Sequence, residues 1–174
     1  MAGFTGIAGA GAALVQLLRD HLCPDIVDSP DKICLCHPME SANLSLGVYL
    51  YDIQENGESR QTDMLTAGLD QQRFPPLSLT LNYMITGYVS SGILIPKVIQ
   101  IIYDHSALKP FEKEAPVYIH PIGLTAKEKM DLWRFPPLPY HLSLFYSLSP
   151  VFLESTRSIK ISRVVSSEFY LKEI

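Results

Sequence analysis

Apolar and polar positions along this chain follow two periods. Between Phe4 and Leu22 the apolar residues Phe4, Ile7, Ala8, Gly11, Leu14, Val15, Leu18 and Leu22 recur at three- and four-residue spacing, which predicts a helix packed by one face. Pro24 and the Asp28-Ser29-Pro30-Asp31 cluster then mark a loop. From Leu44 the period drops to two: Leu44, Leu46, Val48 and Leu50 alternate with Ser45, Gly47, Tyr49 and Tyr51, the pattern of a half-buried strand. Asp52-Ile53-Gln54-Glu55-Asn56-Gly57 ends it in an Asn-Gly turn, and Glu58 to Arg73 are polar enough for an exposed excursion. The clearest alternation sets Leu77, Leu79, Leu81, Tyr83 and Ile85 against Ser78, Thr80, Asn82, Met84 and Thr86, so a one-residue slip would turn the whole apolar set outward.

Gly87 and Gly92 bracket a connection into a second helix that places Ile95, Val98, Ile99 and Ile102 on one face and ends near Asp104, with Pro96 tolerated in its first turn. Val117 and Ile119 begin a short strand stopped by Pro121. Thr125-Ala126-Lys127-Glu128 has the spacing of a capping box and predicts a third helix to about Arg134. Leu142, Leu144, Tyr146 and Leu148 alternate with Ser143, Phe145, Ser147 and Ser149 in a further long strand, weaker past Pro150 to Leu153. Helices interspersed among strands predict an α/β (α+β) fold with a single mixed β-sheet flanked by helices. Residues 1–153 then form the domain, and 154–174 a tail whose Ile159, Ile161, Val164 and Val165 carry strand character. The pentapeptide Arg-Phe-Pro-Pro-Leu occurs at Arg73–Leu77 and Arg134–Leu138, where paired prolines set similar extended entries to two strands.

A chain of 174 residues is long enough for one cored domain. Hydrophobic residues make up 47% and charged residues 18%, below the usual charged share of about 25%, which points to apolar surface buried against partners. A net charge of −4 without a basic run excludes a nucleic-acid binder, since phosphate contacts need clustered Lys and Arg. Met1 to Leu18 lack charge but also lack a basic leader, and Arg19-Asp20-His21 stops the run short of the roughly 20 residues of a membrane span, so a soluble, cytoplasmically made protein is expected. Cys23, Cys34 and Cys36 are an odd set, expected as reduced thiols.

Candidate chemistry is sparse. Cys34-Leu35-Cys36-His37, with His21 and Cys23 upstream, is the best metal pattern, yet zinc pairs usually have two to four residues between cysteines, and one is a poorer match. Alternation on a strand makes Cys34 and Cys36 small hydrophobes. Gly87-Tyr88-Val89-Ser90-Ser91-Gly92 has its glycines wrongly spaced for a nucleophile elbow. Asp52 and Glu55 after a strand, with His105 after a helix, are a conceivable acid/base group. Turn capping and the helix dipole account for the same residues, and His120 and His141 are read likewise.

Four stretches resemble the small cap or tail-terminator proteins of extracellular contractile injection systems related to antifeeding prophages. Leu46 to Asn56, followed by Arg60, is similar to that family's strand and Tyr-Asp-x-x-Glu-Asn turn. Pro75 to Thr86 resembles its Pro-Pro-Leu strand with a Tyr-x-x-Thr ending, and Tyr103-Asp104-His105 its helix end, although Ser106 replaces the proline usual there. Leu132-Trp133 and Tyr140 to Tyr146, running to Pro150-Val151, resemble its Leu-Trp helix and last core strand. Phe135-Pro136-Pro137 and the glycine-rich start at Gly3 to Gly11 depart from the pattern.

The resemblance implies a structural protein without catalytic residues, cofactor or metal. It implies a hexameric ring of copies of this chain on the end of the inner tube that also engages the last sheath ring and stops polymerisation of both. The partners are then the inner tube protein, the sheath protein and the chain itself, with no nucleic acid and no direct membrane insertion. Assembly is expected in the cytoplasm, within an injection-system particle. The alternatives are an enzyme built on Asp52, Glu55 and His105, and an adaptor with a single partner.

Overall fold

The computed structural model describes residues 5–57, 65–66, 71–89, 92–109, 115–134, 139–155 and 158–160. Each alternating stretch forms a strand, and shorter strands join them, so that the described residues hold β1 (Ile33–Leu35), β2 (Leu46–Glu55), β3 (Leu65–Thr66), β4 (Gln71–Arg73), β5 (Leu77–Gly87), β6 (Ala107–Leu108), β7 (Val117–Pro121), β8 (Ser143–Leu153) and β9 (Ser158–Lys160). The helices are α1 (Thr5–Leu22), α2 (Leu94–Asp104) and α3 (Ala126–Leu132). Six strands make one mixed sheet in the order β1-β2-β5-β8-β7-β6. β1 runs parallel to β2, and every other neighbouring pair is antiparallel. This is the α+β architecture that the alternation predicts.

α1 lies across the sheet against β1 and β8 and touches α2. Leu14, Leu18 and Leu22 on its inner face meet Leu46, Val48, Leu81, Tyr83, Ile85 and Leu148, all almost inaccessible to water. Burial of each such side chain is worth about 1.5–3 kcal/mol, so this layer is the main source of stability. Small residues let α1 approach closely: a Cβ on Gly6 would stand 2.7 Å from the carbonyl oxygen of Phe152, and one on Gly11 2.9 Å from Oη of Tyr83. α2 covers the same face through Leu94, Val98, Ile101 and Ile102. Ile99, expected on that face, is 46% exposed, because the isoleucine at 101 takes the inward position and rotates the stripe.

The other face of β5 is covered as well. Ser78, Asn82, Met84 and Thr86 are all buried, so the central strand is enclosed on both sides and its polar residues must find partners. Met84 packs with Trp133 and Phe145 in a second cluster. Trp133 Nε1 donates to Ser143 Oγ at 3.2 Å, Ser143 donates to the His141 carbonyl at 3.0 Å, and the Thr86 hydroxyl lies 2.9 Å from Ser143. Leu142, read from the sequence as the first inward residue of its strand, is 59% exposed, since pairing begins one residue later at Ser143 opposite Thr86.

Two irregularities break the sheet ladder. The β2–β5 register shifts between Leu50 and Asp52, so Tyr51 is a bulge residue, and on the far side of β5 the pairs Leu81↔Leu148 and Leu79↔Val151 leave an extra residue in β8. A second, small antiparallel sheet has the order β3-β4-β9. Part of the expected polar excursion thus becomes strand, and the first residues of the expected tail pair with β4 of the same chain. Residues 161–174, the repeat at 135–138, Ser90-Ser91 and the start of the chain through Phe4 lie outside the described residues.

Candidate functional site

The β2 bulge turns both Tyr51 and Asp52 toward the face that carries Met84 and Phe145, and there they floor a groove of about 840 Å³. Its base is Tyr49, Tyr51, Asp52 and Gln54 of β2, Thr80, Asn82 and Met84 of β5 and Ser147 of β8. One wall is the segment Ile122–Leu124 with Glu128, Asp131 and Leu132 of α3, and the other is His37-Pro38. Both walls are held by local sequence chemistry. Thr125 Oγ1 accepts from the Glu128 amide at 3.3 Å while Glu128 Oε2 accepts from the Thr125 amide at 2.7 Å, the capping box read from the sequence. A second one, unforeseen, caps the 3-10 turn Pro38–Glu40: His37 Nδ1 accepts from the Met39 amide at 3.2 Å, and Glu40 reaches back to the His37 amide.

Within the groove, Asp52 Oδ2 accepts from Gln54 Nε2 at 2.8 Å and from Asn82 Nδ2 at 3.1 Å. Tyr51 meets Phe145 edge-on at 5.8 Å, and the His37 ring meets Tyr49 at 4.9 Å. Burial, reinforced by the Asp52 charge, raises the Tyr51 phenol above its ordinary range, so it is a hydrogen-bond donor at neutral pH. The hydroxyl and amide of Thr125 hold Glu128 below the usual carboxylate range, and it is therefore ionised. The result is an aromatic floor rimmed by carboxylates, a lining suited to holding a side chain or peptide segment.

The other residues singled out in the sequence are not brought together. Asp52 pairs with Asn82 and Glu55 with Leu79, three residues along the same strand, so they face opposite sides of the sheet. His105 caps α2 on the helix-covered side, away from Asp52. Its Nδ1 lies 3.1 Å from the Ile101 carbonyl, and its ring stands 4.4 Å, centroid to centroid, from that of His21, whose own Nδ1 lies 3.0 Å from the Leu17 carbonyl. His120 is exposed beside Tyr118, and His141 sits against the Tyr88 and Trp133 rings. The groove itself was not legible beforehand, because periodicity does not report a bulge that puts two successive residues on one face.

Cys34 and Cys36 are half-buried on and just after β1, with the Cys36 amide bonded to the Val48 carbonyl at 3.0 Å. His21 and Cys23 belong to the end of α1 on the other side of the sheet. Among the described residues no group of three or more His, Cys, Asp or Glu is placed to hold a metal ion. Burial, with the hydrogen bond and charge of Cys34 adding to it, pushes the Cys36 thiol up to about 12. Thiolate is the reactive form, so Cys36 of the native chain is expected to react with iodoacetamide at pH 8 about a hundredfold more slowly than in the urea-unfolded chain, as read by peptide mass spectrometry. Equal rates in the two states would contradict this packing.

With this architecture established, the sequence from residue 10 to residue 167 matches the Pvc16 N-terminal domain. The chain belongs to that family. The fold is similar to a solved sheath/tube terminator, in the extended state, of the extracellular contractile injection system PVC, with a TM-score of 0.72 and 18% identity over 97% of this chain and 64% of that one. It is also similar to the tube-terminating cap of the anti-feeding prophage, with a TM-score of 0.66 and 18% identity over 93% of this chain and 60% of that one. The chain thus spans less than two thirds of the length of either. No curated protein sequence matches it. The resemblance read from the four sequence stretches is therefore borne out, and the Pvc16 N-terminal fold here is the mixed sheet with α1 and α2 on one face and the groove on the other. No described helix is long and apolar enough to cross a membrane.

Proposed function

We propose that this domain is the structural cap, or tail terminator, of a contractile injection system: a hexameric ring of copies that seats on the last inner-tube ring, engages the last sheath ring and stops both from growing. The observation that carries this reading is the match of 97% of the chain to a sheath/tube terminator, within a family match over residues 10–167. A non-catalytic role is supported by the separation of Asp52, Glu55 and His105, which lack the shared site that acid/base work needs. The chain assembles in the cytoplasm and becomes part of the particle. Partner surfaces are available on both sides: the groove on one, and Ile99 and Tyr103, exposed on the outside of α2, on the other. Residues 154–174 serve as a segment for contacts between subunits, supported by Ile161, Val164, Val165, Phe169, Tyr170, Leu171 and Ile174 beyond the last strand of the main sheet.

Expression with the tube and sheath proteins of the same gene cluster should give capped particles of uniform length by electron microscopy. Omitting this chain should give uncapped tubes and sheaths of scattered length. Deleting Ile161 to Ile174, while keeping β9 and its pairing with β4, should leave a folded domain that no longer caps. Uniform particles without the chain would sink the terminator reading, and loss of the melting transition in the truncated chain would place the tail in the core.

A further inference from the structure

We propose that His21 and His105 form a two-histidine site for a divalent transition-metal ion, which ties the C-terminal end of α1 to that of α2. Each Nδ1 lies within hydrogen-bond distance of a backbone carbonyl, that of Leu17 at 3.0 Å and that of Ile101 at 3.1 Å. A carbonyl only accepts, so each Nδ1 carries the hydrogen, which leaves Nε2 as the atom through which either ring would bind a metal. A ring N–H anchored on a carbonyl is the arrangement that fixes the tautomer of a metal-binding histidine.

The ring spacing fits such an ion. A metal bonded at about 2.0–2.1 Å to Nε2 lies about 3.2 Å from the centre of an imidazole that points at it. With both Nε2 atoms turned to one ion, ring centres 4.4 Å apart subtend about 87° at the metal, close to the angle of roughly 90° between neighbouring positions of an octahedral or square ion. A tetrahedral ion would need centres about 5.2 Å apart, so the spacing favours nickel or copper over zinc once both rings turn Nε2 to the ion. Both histidines are exposed, which leaves the remaining positions to water. The field is favourable too. His21 is in the last turn of α1 and His105 caps α2, so two helix ends with partial negative charge face the ion, and Asp20 and Asp104 adjoin the ligands in sequence. The neighbouring cation, Arg19, is turned away, its guanidinium donating to the Ile33 carbonyl at 2.6 Å. Nothing in the sequence pairs these residues, since His21 and His105 are far apart along the chain and meet only where α1 and α2 come together.

Calorimetric titration of the full chain with NiCl2 tests the site. A Cys34→Ser/Cys36→Ser background removes competing thiols. Saturable binding of one equivalent is expected in both chains at about pH 8. His21→Gln and His105→Gln should each weaken it about tenfold or more. Nickel should raise the melting temperature of the parent but of neither variant, while the metal-free variants melt as the parent does. Binding unchanged by either histidine variant, lost in the cysteine background, or absent altogether would overturn the site.

Discussion

Replacing Tyr83 by alanine is expected to lower the stability of the domain by about 3–5 kcal/mol, the usual cost of emptying a large aromatic site in a core. Tyr83 is 1% exposed, the largest fully buried side chain among the described residues, and stands in the middle of β5 with β2 on one side and β8 on the other. Its neighbours come from α1 and from strands paired over long sequence distances, so they cannot collapse into the space without moving the helix layer. Against a total of about 5–15 kcal/mol the loss is large, and it corresponds to a fall of about 10 °C in melting temperature for a domain of this size. Alkali acts on the same residue. Burial pushes its phenol up to about 12, above the unfolded value near 10, so its contribution is intact below about pH 10 and is lost as pH rises through about 12. Urea unfolding of the alanine variant decides the matter, and a change below about 1 kcal/mol would mean that the α1 layer is not packed on this residue.

Gly11→Val should destabilise by about 2–3 kcal/mol, although removal of a helical glycine alone would favour the helix by up to about 1 kcal/mol. A Cβ there meets Tyr83 Oη at 2.9 Å and Leu35 Cδ1 at 3.0 Å. Leu35 is partly exposed and can give way, whereas Tyr83 is enclosed and cannot. Alanine at the same position should come out close to neutral, since clash and helix propensity oppose each other. Combining Gly11→Val with Tyr83→Phe removes the obstructing hydroxyl, and the pair should show a favourable coupling of about 1 kcal/mol in a double-mutant cycle. Thermal melts of the four chains measure it, and strict additivity would show that helix and sheet are further apart in solution.

The strands were legible where one face is apolar and the other polar. Leu77 to Ile85 is the plainest case, because its register is tied to which side meets α1. The third helix was legible through local chemistry, the Thr125 and Glu128 pair, which depends on no distant partner. What escaped was set by tertiary contact. β3, β4 and β6 are two or three residues long, too short for any period, and exist because a partner strand lies beside them. The inward turn of Ile101 in place of Ile99 is a rotation of one helix on its substrate, invisible when nearly every residue of the stretch is apolar. Asp52 was picked out by its position at a strand end. Its actual surroundings, Asn82 and Gln54 over an aromatic floor, follow from the bulge beside it.

The two ladder irregularities have a mechanical consequence. A sheet resists bending through its unbroken cross-strand hydrogen bonds, and stiffness drops where the ladder skips. Here the skips flank the same strand, opposite Tyr83–Asn82 on the β2 side and opposite Leu81–Leu79 on the β8 side, so they line up as a crease through the centre of β5. The sheet is therefore two stiff panels joined along a compliant line. α1 lies across that line: its start packs against Val151 and Phe152 of one panel, while Leu14 and Leu18 further along join the cluster of Leu46, Val48, Ile85 and Leu148. The crease therefore sets where the sheet would fold, and the helix laid across it holds the angle.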